Sequence, residues 1–240
     1  ADFLGADRGE IAFGGNMTML TFHLARGLGR SCGPEGEIVL TELDHHANVA
    51  PWRAPERERR VRVCVVPIVA ETGQLDWPAL ERALSGRPRL LAIGAASNAL
   101  GTVSDVARAA ALARQAGVLT FVDAVHYAPH RLVDVRAIGC DFLACSAYKF
   151  YGPHVGILYG RADRLAAVDI PKLAPAPDTA PERMETGTLN HEGIAGAGAA
   201  VDYLASLARE GGTRRERLGR AFAELERRGH ALVERLLEGL

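Results

Sequence analysis

Of the 28 basic side chains in this 240-residue sequence only two, Lys149 and Lys172, are lysines, and the rest are arginines. Lys149 follows the apolar run Asp141-Phe-Leu-Ala-Cys-Ser-Ala-Tyr, which reads as a buried strand. A guanidinium keeps its proton in a protein, whereas a lysine amine withdrawn from water can turn neutral and condense with an aldehyde. Upstream, Phe121-Val-Asp-Ala-Val-His126 places a carboxylate, Asp123, at the end of another apolar run. A lysine that forms a Schiff base and a carboxylate that faces a pyridinium nitrogen are the two groups with which proteins hold pyridoxal phosphate. Taken singly, each residue has a plainer reading: a strand-end lysine that reaches back to water, and a strand-end aspartate that caps the next helix.

These groups need a frame that brings strand ends together. Helical and strand patterns alternate along the chain, which predicts an α/β fold, a mostly parallel central sheet with helices on both faces. Predicted strands are Glu37–Thr41, Val61–Val66, Leu90–Gly94, Val118–Val122, Asp141–Ser146 and Gly156–Tyr159. They are apolar runs rather than alternating ones, so both faces should be covered. Helices are predicted over Met17–Leu28, His45–Arg60 (interrupted by Pro51 and Pro55), Trp77–Leu84 after an Asp76 cap, from Ser104 or Asp105 to Ala116, Gly193–Leu207, and from Thr213 onward. Four prolines between Pro171 and Pro181 mark a loop. Ligand sites in such sheets lie beyond the carboxyl ends of the strands. Asp44-His45, Asn98, Asp123 and Ser146–Lys149 all fall there.

Composition excludes several alternatives. Charged residues make up 24% and the formal net charge is −1, which gives no electrostatic case for nucleic acid or an acidic membrane surface. No run of eighteen apolar residues reads as a membrane span, and the opening residues lack a secretory pattern. The four cysteines, Cys32, Cys64, Cys140 and Cys145, show no metal-binding spacing and fit reduced core thiols in a cytoplasmic protein. His45-His46 gathers no further ligands, so no metal is expected. The arginines of 53–62 and 214–228 are interleaved with glutamates and read as solvated helix faces. Gly152-Pro-His-Val-Gly reads as the turn after the lysine.

Five ordered motifs carry a resemblance. Thr41-Glu-Leu-Asp-His-His-Ala-Asn-Val-Ala-Pro-Trp52, Ser97-Asn-Ala-Leu-Gly-Thr102, Asp123-Ala-Val-His126, Cys145-Ser-Ala-Tyr-Lys-Phe-Tyr-Gly152 and Glu185-Thr-Gly-Thr-Leu-Asn190 occur in the order found in class V aminotransferase-fold enzymes. The resemblance is nearest to the cysteine desulfurase and selenocysteine lyase group, and it covers roughly residues 10–210. It implies the large, cofactor-binding domain of a type I pyridoxal-phosphate-dependent transferase over 1–240. The family's N-terminal arm and small C-terminal domain are expected to lie outside this stretch, both ends of which read as cut. By the same resemblance Lys149 forms the covalent link to pyridoxal 5′-phosphate and then serves as the base at the substrate Cα. Asp123 faces the ring nitrogen, and His45 stacks on the ring and can donate a proton. Asn98 and His126 stand by the ring hydroxyl. Asn16, Met17, Thr18 and Ser146 form the phosphate site, and Thr188 reaches the phosphate of the neighbouring subunit in a homodimer. From the residues alone, Gly14-Gly-Asn16 before a helix reads first as a structural cap, although a helix start also attracts anions.

The expected activity is cleavage of a C–S or C–Se bond in a small amino-acid substrate. The alternatives are a class V aminotransferase and a non-catalytic binding or assembly protein. This chain departs from the group in three ways. His126 stands where Gln is usual, and Tyr148 where His is usual. No mobile acceptor cysteine is visible, and Cys145 reads as a packed thiol. Asn16-Met17-Thr18 and Tyr148-Lys149 are similar to a subfamily that lacks the acceptor cysteine.

Overall fold

The computed structural model describes residues 1–33 and 35–240. Among them a seven-stranded sheet forms the centre. Its strands are β1 (Ile11–Gly14), β2 (Glu37–Thr41), β3 (Arg62–Val66), β6 (Leu90–Gly94), β7 (Leu119–Asp123), β8 (Phe142–Ser146) and β9 (Gly156–Gly160), in the order β1-β9-β8-β7-β6-β2-β3. A small hairpin, β4 (Ile68–Val69) and β5 (Gln74–Leu75), stands apart. From β3 to β8 every pairing is parallel, whereas β9 is antiparallel to both β8 and β1. The expected α/β architecture is therefore present, with one reversed strand near an edge.

The helices are α1 (Met17–Arg30), α2 (Ala50–Arg59), α3 (Trp77–Ser85), α4 (Val106–Gln115), α5 (Val135–Ile138), α6 (Ala162–Ala167), α7 (His191–Ser206) and α8 (Arg214–Glu238). Strand side chains alternate between two apolar cores. Along β6, Leu90 and Ala92 enter one core with α1 residues Leu20 and Leu24 and with Trp52 of α2. Leu91 and Ile93 enter the other, with Leu80, Ala109, Leu204 and Phe222 from α3, α4, α7 and α8. Both faces of the inner strands β6, β7 and β8 are thus covered, which is why those strands are almost wholly apolar. Removing each such side chain from water contributes roughly 1.5–3 kcal/mol.

Local chemistry sets the helix starts. Asp76 accepts the Ala79 N–H at 2.9 Å, and Asp105, rather than Ser104, accepts that of Arg108 at 3.0 Å. Thr213 and Glu216 form a reciprocal capping box at the head of α8. The predicted His45–Arg60 helix is instead a 3-10 turn, His46–Asn48, followed by α2, with Pro51 in its first turn. A proline there lacks only an N–H that the helix start leaves unused. From Arg227 onward α8 is exposed, including Leu232, Val233, Leu236 and Leu237.

Candidate active site

The site is built at the carboxyl ends of β8, β7, β6 and β2. Gly14, Gly156 and Ser146 lie side by side across β1, β9 and β8, and Gly94 pairs with Asp123 across β6 and β7. Helix α1 starts at this row. A Cβ on Gly156 would sit 2.4 Å from the Asn16 carbonyl carbon, so only glycine lets the two backbones meet. Asn16 Oδ1 caps α1 by accepting the Met19 N–H at 2.9 Å, and Ser146 Oγ accepts the Met17 N–H at 3.0 Å. The helix start is therefore less open than the sequence suggests. Among the described residues the Thr18 N–H has no partner, and the Ser146 hydroxyl, already an acceptor, still has its own proton to donate. The Met17 side chain is buried in the core.

Lys149 sits in the 3-10 turn Ala147–Phe150, anchored by buried Ala147 and Phe150 and closed by the Gly152 N–H bond to the Ala147 carbonyl at 2.9 Å. Its side chain is exposed to the cavity rather than desolvated, because the turn carries it past the strand end. Its Nζ lies 5.3 Å from the Tyr148 ring centroid, and Tyr148 stacks on His154 at 5.0 Å. His45 begins the 3-10 turn after β2, and its Nδ1 accepts the Ala47 N–H at 3.1 Å, leaving the ring proton of the neutral form on Nε2.

Asn16, Met17, Thr18, His45, Asn98, Asp123, His126, Ser146 and Lys149 line one cavity of about 660 Å³. This volume is ordinary for a cofactor or substrate site. Thr188 is not among them; it lines a neighbouring groove with Phe13, Met19 and Phe22. His154, which the sequence places in a simple turn, does line the cavity. Its position follows from β9 reversing direction, and apolar patterning carries no sign of strand direction.

Asp123 is buried, with the Val125 N–H as its hydrogen-bond donor at 2.9 Å. Burial pushes its carboxyl up to about 7, the Val125 N–H opposes this, and the nearby Asp44 charge adds to it. Among the described residues no cation pairs with it. Burial holds His126 below its ordinary value, with the charges of His130 and Lys149 acting in the same sense. Cys145 points into the core on the α4 and α7 side, where burial pushes its thiol up to about 12. No cysteine lines the cavity, and no group of metal-ligating side chains gathers among the described residues.

An accessible amine, a buried carboxyl with no cation beside it, and spare N–H and O–H donors at a helix start suit one kind of ligand. It carries an aldehyde, a protonated ring nitrogen and a phosphate. The residues present therefore fit pyridoxal phosphate, by donor chemistry and not only by resemblance.

Comparison with known proteins places this frame. The sequence matches the aminotransferase class-V family over residues 1–226. It is 37% identical over 222 residues to a cysteine desulfurase of Yersinia pestis (strain Pestoides F), covering 86% of this chain and 54% of that protein. A cysteine desulfurase of Pectobacterium carotovorum is 38% identical over 215 residues, covering 84% of this chain and 53% of its own. This chain thus spans about half the length of the curated relatives it matches. Among solved structures, the apo cysteine desulfurase of Thermococcus onnurineus NA1 superposes with a TM-score of 0.88 at 31% identity, over 100% of this chain and 60% of that one. The cysteine desulfurase CsdA of Escherichia coli gives 0.79 at 32% identity, over 85% and 55%. The chain belongs to the aminotransferase class-V family.

Proposed function

We propose that this protein is a pyridoxal-phosphate-dependent enzyme that cleaves the C–S or C–Se bond of a small amino acid. The observation that carries the reading is the cavity that holds Lys149 and the unpaired Asp123 together at adjacent strand ends. When bound, the cofactor supplies a covalent attachment point for the amino acid and an electron-accepting ring. Lys149 supplies the amine for attachment and then the base that takes the Cα proton. Asp123 provides a negative charge for a protonated ring nitrogen. His45 presents Nε2–H from the edge of the cavity as a proton donor, and Asn98 and His126 stand near the polar edge of the ring. Thr18 and Ser146 meet the phosphate through the N–H and O–H described above.

No thiol lines the cavity, so the departing sulfur or selenium leaves by elimination or passes to an acceptor outside these residues. Exposed Met19 and Phe22 beside the Thr188 groove support a homodimer in which Thr188 serves the partner's site. Four free cysteines fit a cytoplasmic setting. No helix among the described residues is long and apolar enough to cross a membrane.

The test is the visible spectrum of purified protein. Wild type is expected to carry the absorbance band of lysine-bound cofactor, and Lys149→Ala to lose it. Release of sulfide or selenide from cysteine derivatives should fall by at least about 10³-fold in the same variant. A wild-type protein that takes up no cofactor would refute the proposal.

A further inference from the structure

The residue just before His45 is placed by more contacts than any role so far assigned to it requires. Asp44 Oδ2 accepts both the Thr41 N–H at 3.1 Å and the Thr41 hydroxyl at 2.7 Å, and its Oδ1 accepts the Asn48 side-chain amide at 2.9 Å. Asn48 in turn accepts the buried Trp52 indole N–H at 2.9 Å. The two amide groups on Asp44 can only donate, which favours its carboxylate form. Its other side rests on β6: a Cβ on Gly94 would stand 2.9 Å from Oδ1. Gly94 is the residue that pairs with Asp123 in the sheet, so two carboxyl groups flank one glycine with no cation between them. Neighbouring strands are about 4.8 Å apart, and Asp44 takes no part in lining the cavity.

We propose that Asp44 is a positioning residue, which acts through Asp123 and the His45 turn to make the cavity select a positively charged ring over a neutral ring of the same shape. Two like charges held close repel, so the Asp44–Asp123 pair tends to keep a proton on Asp123 unless a cation enters beside it. A ligand whose ring nitrogen carries a proton relieves that repulsion, and a ligand with carbon in its place does not. The same side chain pins the turn that presents His45, because Thr41, Asp44 and Asn48 span it. Burial pushes the Asp44 carboxyl up to about 6, and the Thr41 and Asn48 donors oppose the rise.

This inference rests on the pyridoxal-phosphate reading, and the experiment separates the two. Dissociation constants of pyridoxal phosphate and of its 1-deaza analogue, with carbon replacing the ring nitrogen, are measured by absorbance titration of the purified chain. Asp44→Asn is expected to weaken pyridoxal phosphate about tenfold and the deaza compound less than about twofold. Thr41→Val removes one contact but keeps the charge, and should weaken both ligands alike. If Asp44→Asn does not fold, Asp44→Ser, whose hydroxyl can still meet the Thr41 N–H, is the second neutral variant. Equal losses for both ligands in the neutral variant, or no loss for either, would overturn the proposal. Failure of wild type to develop a lysine-bound band, shifted from the absorbance of free pyridoxal phosphate and lost in Lys149→Ala, would refute the cofactor reading itself, whatever Asp44 does.

Discussion

Carboxyl groups are buried at both ends of the sheet, but with different company. At the amino ends of β1 and β8, Glu10 and Asp141 each have an arginine. Arg136 donates to Glu10 at 3.1 Å, and Arg164 donates to Asp141 at 2.8 Å. Asp141 also accepts the Thr120 N–H at 3.0 Å, and Glu10 that of Asp7 at 3.0 Å. At the carboxyl ends, Asp44 and Asp123 have only neutral donors. A chain with 26 arginines has charge to spare, yet it places none against Asp123. The amino-end carboxylates are paired within the fold, whereas under the function proposed above those at the carboxyl end take their cation from the ligand.

The largest expected effect breaks the paired end. Asp141→Ala leaves the Thr120 N–H without a partner and Arg164 without its carboxylate. A loss of about 3 kcal/mol in urea unfolding is expected. Because the change lies at the far end of the sheet, the folded variant should bind pyridoxal phosphate with unchanged affinity. A matching drop in affinity would show that the two ends are not independent.

The next effect has the opposite sign. In the cofactor-free chain Asp123 keeps its proton to about pH 7, whereas in the unfolded chain it loses it near the ordinary value of 3.8. Between those pH values the folded state binds more protons, so this carboxyl makes stability fall as pH rises, and the cost is complete above about pH 7. Asp123→Asn keeps the acceptor for the Val125 N–H and removes the charge. The cofactor-free variant is expected to be more stable than wild type by about 2 kcal/mol at pH 8, with the gap closing towards pH 4. Thermal melts across that range check it. The same variant should bind the cofactor less tightly, so the gain in stability and the loss of function have one cause.

The contrast between the two ends explains what could be read in advance. Strands such as β6 were legible because Leu90 to Ile93 enter one of two cores in turn, which leaves an unbroken apolar run. Asp123 and Lys149 were legible as chemistry because each ends such a run. Strand β1 was not, since its four residues include two that are only partly buried and sit next to the Gly-Gly turn. The reversal of β9 was hidden for another reason: its composition is the same in either direction. Only the short Gly152–Val155 connection, which leaves no room for the helical crossover a parallel neighbour needs, carries that information. His154 faces the cavity only because of that reversal. Asp44 lay in view beside His45, but its role depends on Gly94, far along the chain, whose missing side chain makes room for it. The Thr188 assignment came from the family resemblance, and in this chain Thr188 lies in the adjoining groove.

The smallest effect compares two helix caps with hydrogen bonds of equal length. Asn16 at the head of α1 and Asp76 at the head of α3 each accept an N–H from the third helical residue at 2.9 Å. Replacing either by alanine frees one backbone donor and should cost about 1 kcal/mol in urea unfolding. Their surroundings differ. Asn16 is wedged against Gly156 beside Ser146 and lines the cavity, whereas Asp76 lies outside it. Asn16→Ala should therefore also lower affinity for pyridoxal phosphate by about threefold to tenfold, and leave that for pyridoxal, which lacks the phosphate, nearly unchanged. Asp76→Ala should change neither. If both variants weaken the phosphate ester equally, the helix start at Asn16 acts only as a cap, and anion recognition at this end of the sheet has to come from Thr18 and Ser146 alone.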